Sequence, residues 1–236
     1  MKVSIVVPTY NEKKNIKRLI PQIFEVFEEN KINGNVIVVD DNSPDATADA
    51  VKELQKSYPI ILIERSKKMG LGSAYITGFK KALKNGSDII FEMDSDLSHD
   101  PKNIPVFLKK INDGFDVVIG SRRIEGGKSI GRNWCRNLVS RGGSFVGKYI
   151  AGINDVNDIP SGYRVYKKDV LKRIDLEGIK SSGFAFQLET LGKCIKTGSK
   201  VSVIPIIFRE RYSGKSKFSM REILSFFLTA IKLRLS

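Results

Sequence analysis

Apolar positions along this chain fall into two regimes, short unbroken runs and longer stretches with helical spacing. Residues 3–7 are apolar and mostly β-branched apart from Ser4, which suits a strand covered on both faces. Pro8-Thr9-Tyr10-Asn11-Glu12 is expected to break it. Ile16, Leu19, Ile20, Ile23, Phe24 and Phe27 then recur at the spacing of one buried helix face. Asn33-Gly34 turns the chain into a second strand at 36–39, closed by Asp40-Asp41-Asn42. Ser43 is predicted to cap the next helix, with Pro44 at its first position and Val51 and Leu54 on its inner face. A third strand is expected at 60–63. The glycine-bearing basic loop Lys67-Lys68-Met69-Gly70-Leu71-Gly72 then opens a helix running to about Leu83. Asn85-Gly86 leads into the buried run Ile89-Ile90-Phe91, a helix begins near Pro101, and a fifth strand spans 115–119, ending in Gly120-Ser121-Arg122-Arg123.

Strands alternating with helices through short loops predict an α/β fold: an open, Rossmann-like, mostly parallel sheet with right-handed crossovers. Ligands of such sheets bind beyond the carboxyl ends of the strands. The polar clusters 9–12, 40–43, 94–98 and 121–123 all fall at those ends. The second half is less regular. We expect a helix over 132–150, a strand at 161–166, a helix at 184–196 and a strand at 201–208, whose Pro205 suggests an edge or a bulge. A basic loop follows at 209–217.

Residues 220–236 read as a helix that is apolar around much of its circumference. It fits a helix docked on the body, and it fits equally a helix lying at a lipid interface. We therefore divide the chain into a body, residues 1–219, and this C-terminal amphipathic helix. No run of about 18 apolar residues is present, so no bilayer span is expected. Because the N-terminal apolar run is short and meets Pro8 at once, it reads as a strand rather than a leader, and the protein as cytoplasmic.

The stretch Glu92-Met93-Asp94-Ser95-Asp96-Leu97-Ser98-His99 carries the candidate chemistry. If it stays extended, Glu92, Asp94 and Asp96 share one face. Such carboxylates repel one another unless a cation lies between them, and hard oxygen ligands suit Mg²⁺ or Mn²⁺. A solvated acidic turn capping the following helix fits the spacing as well. The placement level with three other polar loops favours the metal.

Composition changes this picture in one respect. In 236 residues the formal net charge is +14, which predicts an anionic partner. Between Ser121 and Lys148, Glu125 stands alone against Arg122, Arg123, Lys128, Arg132, Arg136, Arg141 and Lys148. Two cysteines, Cys135 and Cys194, make no disulfide framework. With no Walker loop and no G-x-G-x-x-G after the first strand, the phosphate cradles of kinases and dinucleotide enzymes are missing. His99 is the single histidine, which excludes multi-histidine metal sites; it is expected simply to sit in the turn. What remains is an acidic metal site, basic loops and an open sheet, the parts of a transferase acting on a diphosphate-linked donor.

With these motifs in order, the chain resembles the inverting glycosyltransferases of the GT-A fold, family 2, and among them the dolichyl-phosphate (polyprenyl-phosphate) mannose synthases. The resemblance rests on Val6-Val7-Pro8-Thr9-Tyr10-Asn11-Glu12, Val39-Asp40-Asp41-Asn42-Ser43-Pro44-Asp45, Gly70-Leu71-Gly72-Ser73-Ala74-Tyr75 and Asp94-Ser95-Asp96-Leu97-Ser98-His99. It continues through Gly120-Ser121-Arg122, Asp158-Ile159-Pro160-Ser161-Gly162-Tyr163-Arg164, Phe184-Ala185-Phe186-Gln187-Leu188-Glu189 and Gly214-Lys215-Ser216-Lys217.

The resemblance implies a metal-dependent, inverting transfer of mannose from GDP-mannose to a dolichyl or other polyprenyl phosphate at a membrane surface. It implies that Pro8, Tyr10 and Glu12 line the guanosine pocket and that Asp40 and Asp41 hold base or ribose. Asp94, Ser95 and Asp96 would bind the donor, and Asp94, Asp96 and Ser98 the metal. Arg122 would sit between donor and acceptor, making Asp96 and Arg122 the catalytic pair. Arg136 and Ser140 would hold the acceptor phosphate, and Arg211 and Lys217 would close over the diphosphate. Ser95, Ser98, Arg123, Pro160 and Lys215 depart from common family residues. A peripheral position on the cytoplasmic membrane face is expected, through the terminal helix or a membrane-protein partner. Transfer of another sugar, such as glucose from UDP-glucose, stays open. A nucleic-acid-binding protein is a remote alternative: it would use the positive charge but none of the carboxylates, and no such partner is expected.

Overall fold

The computed structural model describes residues 1–131, 134–154, 156–209 and 220–235, with 134–141, 220 and 221 described through their backbone. In chain order the elements are β1 (Val3–Thr9), α1 (Lys13–Glu29), β2 (Gly34–Asp40), α2 (Thr47–Leu54), β3 (Ile60–Glu64), α3 (Leu71–Lys84) and β4 (Ile89–Glu92). A 3₁₀ turn (Pro101–Asn103) leads into α4 (Ile104–Asn112), then β5 (Val117–Ser121), β6 (Lys128–Ile130), α5 (Trp134–Tyr149), β7 (Arg164–Lys167) and α6 (Lys168–Arg173). The chain closes with α7 (Gly183–Lys196), β8 (Val201–Pro205), β9 (Ile207–Arg209) and α8 (Met220–Leu235).

Seven strands form one sheet in the order β3-β2-β1-β4-β7-β5-β8, and β6 pairs with β9 in a separate two-stranded ribbon. The sheet is parallel except for β7, which runs antiparallel to both β4 and β5. The parallel runs are covered on both faces, as their unbroken apolar character requires. On one face Ile5 and Val7 pack with Ile16, Leu19 and Ile20 of α1 and with Phe107 of α4. On the other, Val6, Ile37 and Ile90 pack with Tyr75 and Phe79 of α3 and with Phe186 and Leu188 of α7. Each such side chain, fully buried, contributes about 1.5–3 kcal/mol. Gly78 lets α3 approach the sheet, since a Cβ there would collide with Val6 Cγ1.

Several expectations shift. Pro8 does not break β1, which continues to Thr9 with Pro8 opposite Val39 of β2. The ladder to β4 ends at Val6↔Glu92, so the residue lacking an N–H lies past that ladder. Ser43 does not cap α2. Its N–H and hydroxyl both bond Asp40, Ala46 turns at φ +62°, and the helix starts four residues later at Thr47. The fifth strand begins at Val117 because the Asp116 carboxylate is drawn to the Lys200 N–H and the Lys167 ammonium. The expected strand at 161–166 is confined to β7. The run 201–208 divides at Ile206, which bonds Ser121 through its N–H and Lys128 through its carbonyl and so passes the chain from the edge of one sheet to the other. Short β6 and α6 carry no periodicity long enough to read in advance.

Candidate active site

Four loops meet the carboxyl ends of β1, β2, β4 and β5. After β1 and β2 the carboxylates are tied inward. Asp40 accepts from Thr9 Oγ1 at 2.7 Å, Ser43 Oγ at 2.6 Å and Ser43 N at 2.8 Å. Asp41 is gripped by the Arg65 guanidinium and accepts the N–H groups of Met69 and Gly70, each at 3.1 Å. Arg65 also reaches Ser73 Oγ and the Gly70 carbonyl. Asp40 and Asp41 therefore fasten the loops rather than project into open solvent. Lys68 Nζ lies 3.9 Å from the Tyr10 ring centroid. The Glu12 N–H donates to Thr47 Oγ1, and its carboxylate accepts from the Asn15 amide. Pro8 stays buried within β1.

After β4 the chain does not stay extended to Asp96. The strand ends at Glu92, and Leu97 turns at φ +64°. Glu92 accordingly separates from the aspartates. Fully buried, its carboxylate accepts from Tyr166 Oη at 2.8 Å and Gln187 Nε2 at 2.9 Å. Burial pushes its carboxyl up to about 7 against the lowering pull of Arg164, Gln187 and Tyr166. Asp94, with its side chain 34% exposed, accepts from Tyr75 Oη at 3.0 Å. Asp96 is buried and accepts the Ser98 N–H at 3.1 Å. Ser95 is also buried.

Ser98 Oγ is buried with no hydrogen-bond partner among the described residues, the kind of buried polar atom that an ordered water or a bound ion satisfies. Two carboxylates and a hydroxyl are hard oxygen donors, and Mg²⁺ or Mn²⁺ needs no more from a protein when water and substrate phosphate complete its shell. Among the described residues no group of three or more His, Cys, Asp or Glu side chains could hold a metal, so any ion here depends on those other ligands.

His99 is more than a turn residue. It is buried, stacks on Tyr163 at 4.8 Å between centroids, and accepts the Asp94 N–H at Nδ1. That bond leaves the proton of a neutral ring on Nε2. Burial lowers the histidine's pKa despite Asp94 and Asp96 nearby, so it braces the turn as a neutral ring.

After β5, Arg122 is locked to buried Asp158: Nε and Nη2 each lie 2.6 Å from a carboxylate oxygen, and the backbone N–H adds a bond of 3.0 Å. Burial alone would raise the Asp158 carboxyl, but the hydrogen-bonded Arg122 guanidinium, with Arg123 beyond it, holds it below the usual carboxylate range. The Phe208 ring joins this corner to the acidic turn, 5.0 Å from the Arg122 guanidinium and 6.0 Å from His99. Thus the turn carrying Asp94, Asp96 and Ser98 and the Arg122 corner meet through His99 and Phe208, with Tyr75 bonded to Asp94 and Asp158 to Arg122. Sequence reading assigned none of His99, Phe208, Tyr75 and Asp158 a role; Tyr75 and Asp158 stood inside recognised motifs, but their partners are distant in the chain. Arg136 and Ser140 fall on α5 with side chains outside the described residues, and Arg211 and Lys217 lie outside them entirely.

The family profile described as "Glycosyl transferase family 2" matches residues 4–175. Undecaprenyl-phosphate mannosyltransferase from Micrococcus luteus is 38% identical over 220 residues, covering 93% of this chain and 88% of the relative. Polyprenol monophosphomannose synthase from Mycolicibacterium smegmatis is 35% identical over 91% of this chain and 80% of the relative. Dolichol-phosphate mannosyltransferase from Pyrococcus furiosus is 38% identical over 96% of this chain, which spans 62% of that protein's length. Among solved structures, glucosyl-3-phosphoglycerate synthase from Mycobacterium tuberculosis with Mg²⁺ and UDP superposes at a TM-score of 0.74 and 16% identity, covering 98% of this chain and 79% of that one. The same enzyme with Mn²⁺, UDP and phosphoglyceric acid gives 0.71 over 99% and 77%. At that identity the likeness concerns the fold.

Proposed function

Because the chain belongs to glycosyl transferase family 2, we propose that its site transfers mannose from GDP-mannose to a polyprenyl phosphate, inverting the anomeric centre. The observation that carries this reading is an acidic turn, Asp94–Asp96, joined through His99 and Phe208 to an arginine held by Asp158. The three mannosyltransferases at 35–38% identity support the sugar and the lipid phosphate. The seven-stranded sheet is the GT-A arrangement expected of such an enzyme.

Asp94 and Asp96 would hold Mg²⁺ or Mn²⁺, with Ser98 as a third oxygen, and a bound ion would supply charge neutralisation for a nucleoside diphosphate leaving group. The chain's own residues do the rest. An acceptor phosphate is anionic at neutral pH and needs position more than a base. Arg122 would face both phosphates and lessen their repulsion, with Asp158 fixing the plane of its fork. His99 cannot serve as a base through Nδ1, which already accepts the Asp94 N–H. Tyr10 and Glu12 would flank the nucleoside, in loops set by Asp40 and Asp41. Arg136 and Ser140 would meet the acceptor phosphate, and Arg211 and Lys217 the diphosphate.

We also place the protein peripherally on a membrane surface. No helix among the described residues is long and apolar enough to cross a membrane. Instead α8 buries Phe226, Ala230 and Leu233 against the body and exposes Leu224, Phe227 and Leu228, while α5, which it contacts, exposes Phe145 and Tyr149. Docked and interfacial readings of the helix are thus compatible, one for each face.

The test is radiolabelled sugar transfer from a panel of nucleotide sugars to polyprenyl phosphate in vesicles, with and without Mn²⁺ or Mg²⁺. Metal-dependent product from GDP-mannose is expected. Product from UDP-glucose alone would replace the donor, and no lipid product from any donor would sink the reading.

A further inference from the structure

Arg164 is a side chain the reaction does not touch, and its surroundings are unusual. It is fully buried. Its guanidinium donates to three carbonyls: Ser161 through Nε at 2.8 Å, Gln187 through Nη1 at 2.8 Å, and Ile159 through Nη2. Its strand neighbour across β4 is Glu92. A buried charge carries a large desolvation cost, which a structural filler of the same volume would avoid.

The two carbonyls at 159 and 161 belong to one turn, closed by the Ser161 N–H on the Asp158 carbonyl at 3.0 Å. That turn begins with the residue gripping Arg122. Its outer side meets α5, where a methyl at Gly147 would collide with Ile159 Cδ1 and one at Gly143 would lie 3.2 Å from Pro160 Cγ. Arg123 adds a strap, bonding the Asn157 carbonyl and Ser144 of α5. Residues 158–161 are therefore clamped between Arg164 inside and α5 outside. Through its third carbonyl Arg164 also ties the turn to Gln187, whose amide holds Glu92 at the base of the acidic turn.

We propose that Arg164 is a positioning residue: its three-carbonyl grip sets the turn 158–161 between the sheet and α5, and through Asp158 fixes where Arg122 stands between the two phosphates. The inference rests on the role given to Arg122 above. Lysine at this position keeps the charge but cannot fork to three carbonyls, so the geometry, rather than the charge, is what the site requires.

The experiment uses the full chain with Arg164→Lys, Arg164→Met, Gly147→Ala (which pushes the turn from its other side) and Asp158→Asn. Turnover, acceptor KM, calorimetric affinity for Mn²⁺–GDP and the NMR signal of the Arg122 Nε–H are measured. A misplacement of about 1 Å costs on the order of 10²-fold in turnover, and we expect a loss of that size in Arg164→Met and Arg164→Lys with Mn²⁺–GDP affinity kept. The Arg122 Nε–H should lose its protection from exchange in the same variants. Combined with Asp158→Asn, Arg164→Met should add almost nothing. Parallel loss of turnover and Mn²⁺–GDP affinity, multiplicative effects in the double variant, or an unchanged Arg122 Nε–H would each overturn the proposal. Should Arg164→Met not fold, Arg164→Lys and Gly147→Ala decide by the same readouts. Absence of lipid transfer by the unaltered protein would remove the functional reading, while the Arg122 Nε–H signal would still judge the positioning.

Discussion

Replacing Asp158 by Asn tests the corner that holds Arg122. The Asp158 side chain is fully buried and that of Arg122 only 7% exposed, so solvent screens the pair little. The amide keeps the shape, removes the charge, and turns an N–H donor toward guanidinium donors. Breaking a buried pair from one side leaves its partner uncompensated, at a cost of about 3–5 kcal/mol. For a chain of this size each kcal/mol moves Tm by about 2–4 °C, so the midpoint should fall by roughly 6–20 °C. Urea unfolding as a function of pH adds a second constraint. The folded Asp158 carboxyl titrates below its unfolded value, which is about 3.9. Its stabilisation is therefore complete above the unfolded value and lost as pH falls through the lower, folded one. The gap between the natural chain and Asp158→Asn should be constant at neutral pH and close only below about pH 4. The paired replacement Arg122→Met with Asp158→Leu should recover most of the stability without recovering transfer. A neutral-pH gap under about 1 kcal/mol, the level of an exposed pair, or a gap unchanged down to pH 2, would refute the reasoning.

Four further outcomes follow from the same geometry. Asp96→Ala should abolish transfer and remove the Mn²⁺-dependent thermal stabilisation by GDP; full transfer by this variant would exclude Asp96 from the metal site. Tyr75→Phe deletes the hydroxyl on Asp94 and should cost about 1 kcal/mol in stability, with a higher Mn²⁺ concentration needed for half-maximal rate in a metal titration. Gly78→Ala drives a methyl into Val6 and should destabilise by about 1–3 kcal/mol in urea, leaving the rate per folded molecule intact. Replacing exposed Leu224 and Leu228 together by Ser should weaken co-sedimentation with anionic vesicles while a short-chain, water-soluble acceptor is still used; undiminished sedimentation would remove α8 from the membrane contact.

Much of this fold is legible in the sequence because β-branched runs and helical periods are local signals. The four polar clusters could be placed at one edge of the sheet from alternation alone. The antiparallel β7 could not, since the alternation rule is silent on a strand inserted late between β4 and β5. The candidate site was legible as a set of residue types and not as a set of partners. Asp40 and Asp41 read as ligand-binding carboxylates, and the structure adds their bonds to Thr9, Ser43 and Arg65, contacts the chain order conceals. Glu92 has the spacing of a metal ligand until Tyr166 and Gln187, far along the chain, take it into the core. Ser43 is a good helix cap by type, but its hydroxyl oxygen accepts the Asn11 N–H while its own donors go to Asp40, and the helix opens only at Thr47.

The same concealment alters what the positive charge means. A net charge of +14 invites the view that the arginines collectively await phosphate. Three arginines with covered side chains instead do separate internal work. Arg65 binds Asp41 and fixes the loop after β3. Arg122 is bound by Asp158 yet sits beside the acidic turn, so its charge is oriented before any substrate arrives. Arg164 spends its donors on carbonyls and shapes the turn that carries Asp158. Electrostatic catalysis depends on charges that need no reorganisation when the reaction begins. A loose basic surface could raise phosphate affinity, but a guanidinium held on its far side keeps its place without reorganising. The arginine-to-carboxylate and arginine-to-carbonyl bonds therefore set the local geometry before any ligand binds, and the surplus of lysine and arginine favours an anionic partner.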